Sequence, residues 1–275
     1  MNLSILTLSW NGLDKLKTLY GGVSDNCSYL PKNIQYTWHI RDNGSSDDTI
    51  KVVNGWGRNW IKTYDIGHNR HSFSAGMNFL FDKVAPADDD LILLLNNDVE
   101  FGDMESLSKM IQLMSKPNAA VVGARLLYAG TNKIQFGGTI FSSKYGNLAW
   151  HYRAGEESDK AAEKNRYFQA VTAAVCLVKA SSFKRVGGFD EEFMWSFEDV
   201  DLCLKIGQTE KIAYCGETKI YHEESASLKK NPVNKMFMQH NVNHFKSKWW
   251  ENGKPKYKID HDLYLKDSGY NEIKV

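Results

Sequence analysis

The sequence predicts an α/β fold, in one large domain or two small ones by length, and three observations carry the fold class. Leu91–Leu95 reads LILLL between Asp88-Asp89-Asp90 and Asn96-Asn97-Asp98. Such a run fits a strand buried on both faces of a parallel sheet. Strand-like and helix-like segments alternate through the first 125 residues. Dense turn and cap signals, such as Asp42-Asn43-Gly44-Ser45-Ser46-Asp47-Asp48-Thr49, punctuate them.

In chain order, Leu3 to Ser9 is an opening strand broken by Trp10-Asn11-Gly12. Tyr36 to Arg41 is a second strand, followed by a helix from Asp48 to about Asn54. Trp60 to Tyr64 is a third strand and Ser74 to Lys83 a helix. After Leu91–Leu95 a helix begins near Met104, and Ala119 to Gly123 is a core strand. Beyond Arg125 the rhythm changes. Lys133 to Ile140 and Gln169 to Val178 read as two longer strands around a polar loop from Ala154 to Lys164. Ala180 to Val186 and Asp199 to Ile206 read as helices, although the spacing of the second also allows a strand, and Lys211 to Tyr214 and Lys219 to His222 read as short strands. A last helix is expected from Pro232 to Trp250, where apolar and aromatic residues recur at three and four.

Composition narrows the classes. Hydrophobic residues make up 42% and charged residues 24% of 275 residues, which suits a folded globular chain. With 34 Lys and Arg against 33 Asp and Glu, the basic excess of a general nucleic-acid binder is missing. Cys27, Cys176, Cys203 and Cys215 stand singly, without a CxxC pair, which fits reduced thiols and a cytoplasmic location. No run reaches 18 apolar residues, and the N-terminus reads as a strand instead of a signal peptide. Walker, GxGxxG and GxSxG patterns are missing, which counts against P-loop, dinucleotide and α/β-hydrolase chemistry.

Two acidic turns fall at the carboxyl ends of expected strands, where α/β sheets bind ligands. They are Asp42–Asp48 and Asn96-Asn97-Asp98. Asp98 suits Mg²⁺ or Mn²⁺ with positions left for phosphate, and equally suits a capping turn. Glu198 and Asp199, at an expected helix start, suit a general base or a helix cap. His222, closing a strand, suits a metal ligand or a structural hydrogen bond.

Four segments together resemble glycosyltransferase family 2, inverting enzymes of the GT-A fold, in the branch of rhamnosyltransferases and other surface-polysaccharide transferases. They are LSILTLSWNG at 3 to 12, DNGSSDDT at 42 to 49, LLLNNDVE at 93 to 100 and GGFDEEFMWSFEDVDLCLK at 187 to 205. The resemblance runs from about Leu3 to Ser225. It implies a single Rossmann-like domain with a mixed central sheet flanked by helices. Residues 1–125 would form a nucleotide half, 126–228 an acceptor and catalytic half, and 229–275 a helical basic tail. It implies a donor pocket from Leu8, Ser9, Trp10, Asp42, Asn43, Ser45, Asn78, Asn96 and Asn97. It implies metal binding by Asp98 and His222, and catalysis by Asp199 as base with Glu198 orienting base or acceptor. Asn96 stands where the family's acidic motif often begins with aspartate, and Asn69-Arg70-His71-Ser72 departs from the family's approach to Asn78.

The expected activity is metal-dependent transfer from a UDP- or dTDP-linked sugar to a saccharide or lipid-linked glycan. Trp150, Trp195 and Glu198 are candidate acceptor contacts. Lysines of the tail, with Trp249, Trp250 and Tyr257 taken as exposed, suggest peripheral contact with an anionic membrane, against the alternative of an ordinary packing helix. A sugar-phosphate nucleotidyltransferase and a catalytically decayed glycan-binding domain are the other readings.

Overall fold

The computed structural model describes residues 1–67, 72–194, 196–223, 233–266 and 269–274. Its first half runs β1 (Asn2–Ser9), α1 (Leu13–Ser28), β2 (Gln35–Asp42), α2 (Thr49–Gly55), β3 (Ile61–Asp65), α3 (Phe73–Val84) and β4 (Leu91–Leu95). There follow β5 (Val99–Phe101), α4 (Ser106–Met114), β6 (Ala119–Tyr128), β7 (Ile134–Phe136), β8 (Thr139–Ser142) and β9 (Leu148–His151). The rest comprises β10 (Arg166–Phe168), β11 (Val175–Lys179), α5 (Ala180–Arg185), α6 (Glu198–Ile206), β12 (Lys211–His222), α7 (Val233–Trp249), β13 (Trp250–Glu251), β14 (Lys254–Pro255) and α8 (His261–Lys266).

The main sheet has the order β10-β12-β6-β11-β4-β1-β2-β3, with β5 on β12 and β7 on β6. Strands β4, β1, β2 and β3 are mutually parallel, while β11 is antiparallel to both β4 and β6. The chain first winds outward through β2 and β3, then returns to lay β4 on the other side of β1. That reversal opens a crevice at the carboxyl ends of β1 and β4, the usual ligand position in such sheets. All five residues of β4 are buried, as its apolar run requires. Helix α1, which the sequence reading did not single out, packs through Leu16, Leu19, Val23 and Cys27.

Several expected elements differ. The strand foreseen over 133–140 breaks into β7 and β8 at Gly137-Gly138. Gly138 has φ of +116°, and a Cβ there would meet the Phe168 ring at 2.3 Å, so no side chain fits the corner. Of the strand foreseen over 169–178 only β11 forms; residues 169–174 lead into it from β10, and Ala173 gives its N–H to Asp199 instead of to a strand partner. The two short strands at 211–214 and 219–222 are one strand, β12, irregular between Cys215 and Ile220.

The tail is also not wholly helical, since β13 and β14 pair between its two helices. Its aromatics, taken as exposed, pack inward because each polar tip finds a partner. Trp249 Nε1 donates to Asp201 Oδ1 at 2.8 Å and Trp250 Nε1 to the Tyr257 hydroxyl at 3.0 Å. Tyr257 in turn donates to the Asn147 carbonyl at 2.8 Å. Among the described residues no helix is long and apolar enough to cross a membrane.

The glycine corner gives a direct test. Gly138→Ala should cost about 2 to 3 kcal/mol of stability, from positive-φ strain plus overpacking against Phe168. Gly21→Ala, in open space on α1, should stabilise by up to about 1 kcal/mol. Urea unfolding of the two variants measures the contrast.

Candidate active site

The crevice is lined first by two loops that tie β1 to β2. Asn43 donates its backbone N–H to the Ser9 carbonyl at 2.8 Å. Asp42, only 2% exposed, accepts from the backbone N–H groups of Gly44 and Ser45 and from the Ser45 hydroxyl. The same hydroxyl accepts from the Asn11 N–H at 2.7 Å, and Asn11 Oδ1 accepts from the Ser46 N–H at 2.8 Å. Asn11 was not singled out from sequence. The turn before Gly12 that marked this loop is the signal that points to it, and its φ of +47° is one asparagine tolerates.

Gly12 brings the β4 loop close. A Cβ there would lie 2.6 Å from Asn97 Nδ2 and 2.7 Å from Ser9 Oγ. Ser9, Asn11, Asp42, Asn43, Ser45 and Asn97 therefore form one continuous rim. Trp10 stands on this rim at 45% exposure. Asn43 Oδ1 is buried without a hydrogen-bond partner. Leu8 is separate: its side chain packs against Gly76 of α3.

At the end of β4, Asp98 faces His222 from the end of β12. Asp98 Oδ1 lies 3.1 Å from His222 Nε2, yet it is buried and makes no aligned hydrogen bond. The Asn96 amide nitrogen is 3.3 Å from the same ring nitrogen. Lys15, from the first turn of α1, stands 3.8 Å from Asp98 and 3.6 Å from Glu223. Lys15, Asp98 and Glu223, with Asn97 and Tyr221, border a cavity of about 300 Å³.

Among the described residues no group of three or more His, Cys, Asp or Glu side chains converges as a metal cage. An unpartnered carboxylate oxygen beside an imidazole nitrogen still fits a divalent cation that takes its other ligands from phosphate and water. The fit is to a shared site for ion and diphosphate, not to a site that the protein closes by itself.

The second acidic cluster begins α6. Ser196 and Phe197 have φ of +75° and +69°, a strained entry at which non-glycine residues are rare. Asp199 accepts from its neighbour Val200 N–H at 2.8 Å and from Ala173 N–H at 3.2 Å. One residue on, the Ala174 carbonyl accepts from the Asn96 N–H at 2.9 Å. Residues 172–174 therefore connect Asp199 to the start of the Asn96-Asn97-Asp98 turn. Trp195 lies outside the described residues.

Burial pushes the Asp199 carboxyl above its ordinary value, opposed by the Ala173 N–H, the His151 charge, the Val200 N–H and the Thr172 hydroxyl. Glu198 is pushed up by burial first and by the Asp199 charge second, and its Oε2 has no partner. Two adjoining carboxyls in this setting favour one shared negative charge. Both carboxyls accept from two backbone N–H groups, but only Asp199 also has the Thr172 hydroxyl and the His151 charge in favour of its ionised form, so it is the better seat.

Trp150 is 48% exposed on β9 and stacks on Tyr145, with ring centroids 4.3 Å apart. Asn78 does not open onto the rim. Its Nδ2 donates to the Phe189 carbonyl and to Glu191, and its Oδ1 accepts from the Phe189 N–H. Both amide ends hold the loop that leads to α6. Asn69, Arg70 and His71 lie outside the described residues.

Residues 25–249 match the model of the family described as "Glycosyltransferase like family 2". An O-antigen biosynthesis protein, RfbC of Myxococcus xanthus, is 30% identical over 153 residues, covering 54% of this chain and 12% of RfbC. The rhamnosyltransferase WbbL of Escherichia coli K12 is 28% identical over 148 residues, 52% of this chain and 54% of WbbL. The chain thus spans about half or less of these curated relatives. The crystal structure of GalNAc-T7 with UDP, GalNAc and Mn²⁺ superposes with a TM-score of 0.67 at 13% identity, covering 92% of this chain and 49% of that one. At that identity the likeness shows the fold, a single-domain GT-A arrangement.

A raised Glu198 means that the folded protein keeps a proton after the unfolded chain has lost it, above the ordinary value of 4.5. The stability contribution of this group is therefore greatest at low pH and falls as pH rises through that range. Glu198→Gln should flatten the effect. Raising pH from about 5 to about 7 should lower the urea midpoint more for the native protein than for this variant.

Proposed function

We infer a function for a chain that belongs to glycosyltransferase-like family 2: metal-dependent transfer of a sugar from a nucleotide-sugar donor to a saccharide or lipid-linked glycan, with inversion at the anomeric carbon. The observation that carries this reading is the contact of residues 172–174 with Asp199 on one side and Asn96 on the other. It joins a buried, proton-seeking carboxylate to a turn suited to a diphosphate and its cation. The O-antigen biosynthesis in the name of RfbC and the rhamnosyl transfer in the name of WbbL support the choice of substrate class.

In this reading the rim of Ser9, Trp10, Asp42, Asn43 and Ser45 receives the nucleoside, a UDP or dTDP group. Asp42 acts by shaping the loop, because its oxygens already accept from Gly44 and Ser45. Asn96 and Asn97 line the path to the diphosphate, and Asp98 and His222 would hold Mn²⁺ or Mg²⁺. When bound, such an ion neutralises charge that grows on the leaving diphosphate. Lys15, near Asp98, adds a positive charge on the same side.

Asp199 takes the proton of the acceptor hydroxyl as that oxygen bonds to the anomeric carbon. The bond from that carbon to the diphosphate oxygen breaks from the opposite face, which inverts the configuration. Neutral Glu198 beside it raises the basicity of Asp199 less than a second charge would, and keeps one carboxylate available. The stacked Tyr145 and Trp150 rings offer a flat apolar face for an acceptor sugar. The four buried free thiols suit a reducing cytoplasmic setting. The hydrogen bonds of Trp249, Trp250 and Tyr257 engage their polar tips inside the protein, so a membrane contact would rest on the lysines and the exposed Met236, Met238, Ile259 and Leu265.

Two measurements test the reading. Asp199→Asn should lower kcat by about 10²- to 10⁴-fold while donor affinity changes little, because the base acts in the transition state. Turnover close to native would remove Asp199 from the role. Chelation should abolish transfer from a UDP- or dTDP-sugar and added Mn²⁺ restore it; full activity in excess chelator would exclude the metal. NMR of the product reads the anomeric configuration.

A further inference from the structure

We propose that Gln135 is a positioning residue that holds His222 in the tautomer whose bare Nε2 faces Asp98, so that the cation site is prepared before any ion arrives. The inference rests on the metal reading above and assigns a role to a residue outside the acidic motifs.

Gln135 is 5% exposed and grips the same histidine twice. Its Nε2 donates to the His222 backbone carbonyl at 3.1 Å, and its Oε1 lies 2.7 Å from His222 Nδ1. A carbonyl only accepts, so the first bond sets which way the amide points. The end facing the ring is then an oxygen, which also only accepts. Nδ1 must therefore carry the hydrogen, and in the neutral ring Nε2 keeps its lone pair. The Asn96 amide nitrogen, a donor 3.3 Å from Nε2, agrees with that assignment.

The consequence falls on Asp98. Nε2 and Asp98 Oδ1, two lone-pair atoms 3.1 Å apart, have no aligned hydrogen between them. A cation shared by both removes their repulsion. The second grip, on the His222 carbonyl, stops the ring from swinging away, as outer partners of metal-ligating histidines commonly do.

The fold aims Gln135 by a local irregularity. Leu126 pairs with Phe136 and Leu127 with Ile134, so the ladder slips and Gln135 has no opposite residue. Such bulges redirect a side chain, often beside active sites. From sequence, the sign was one amide between Ile134 and Phe136 in an apolar stretch.

The test reads the tautomer directly. In ¹⁵N-histidine-labelled protein at fixed pH, the imidazole signals assigned to His222 by their loss in His222→Gln should report hydrogen on Nδ1. Gln135→Leu and Gln135→Asn should shift them toward the Nε2–H form, while Gln135→Glu, which keeps an acceptor for Nδ1, should preserve the native pattern. Mn²⁺ affinity in the presence of UDP, followed by electron paramagnetic resonance, should fall about 10- to 100-fold in the Leu and Asn variants. Combining Gln135→Leu with His222→Gln should weaken binding no more than His222→Gln alone. Native tautomer and native affinity in both the Leu and Asn variants, with His222→Gln impaired, would overturn the role of Gln135 and leave the metal reading intact. No Mn²⁺ binding by the native protein with UDP, or unimpaired binding by His222→Gln, would overturn the metal assignment and this proposal with it.

Discussion

The hydrogen bonding of β4 between a parallel and an antiparallel neighbour is the constraint on which the rest depends. Beside parallel β1, its carboxyl end delivers Asn96-Asn97-Asp98 next to the loop at Ser9. Beside antiparallel β11, the same end meets the residues that enter β11, with Leu95 opposite Val175. Asn96 therefore finds the Ala174 carbonyl, and Ala173 is in place to meet Asp199. A sheet parallel throughout would send that connection to the opposite edge. The mixed sheet is what lets one strand end serve both acidic clusters.

Around that point the site contains groups that the protein leaves under-satisfied. Asp98 Oδ1, Glu198 Oε2 and Asn43 Oδ1 are buried without partners, although most buried polar atoms in folded proteins have one. Nearby groups are fully engaged: Asp42 shapes its own loop, and Asn78 holds the approach to α6. The contrast separates residues that build the crevice from residues with capacity left for a ligand. Backbone strain at Ser196 and Phe197 lies beside the same under-satisfied cluster, where such strain tends to concentrate.

The motif residues were legible in sequence because their types are costly to bury without reason. Acidic turns after apolar runs marked Asp42 and Asp98, and a carboxylate pair at a helix start marked Glu198 and Asp199. Their exact duties were less legible. Leu8 and Asn78 matched family positions, yet one packs on Gly76 and the other braces a loop. Gln135 escaped notice because its meaning lies in a bulge and a partner 87 residues away. The tail aromatics stand in a lysine-rich segment that reads locally as a basic surface, whereas Asp201 and Asn147, distant in sequence, accept the hydrogen bonds of Trp249 and Tyr257.

What the sequence alone determined is the set of strands and helices with strong local signals, above all Leu91–Leu95, and the chemistry available at their ends. Periodicity, turn residues and side-chain type are local, and local rules reach that far. Which strands lie side by side, where 133–140 and 169–178 break, and which side chain meets which were decided by tertiary structure. Those choices depend on long-range sheet register and on the need of each buried polar group for a partner, and neither can be computed from neighbours along the chain.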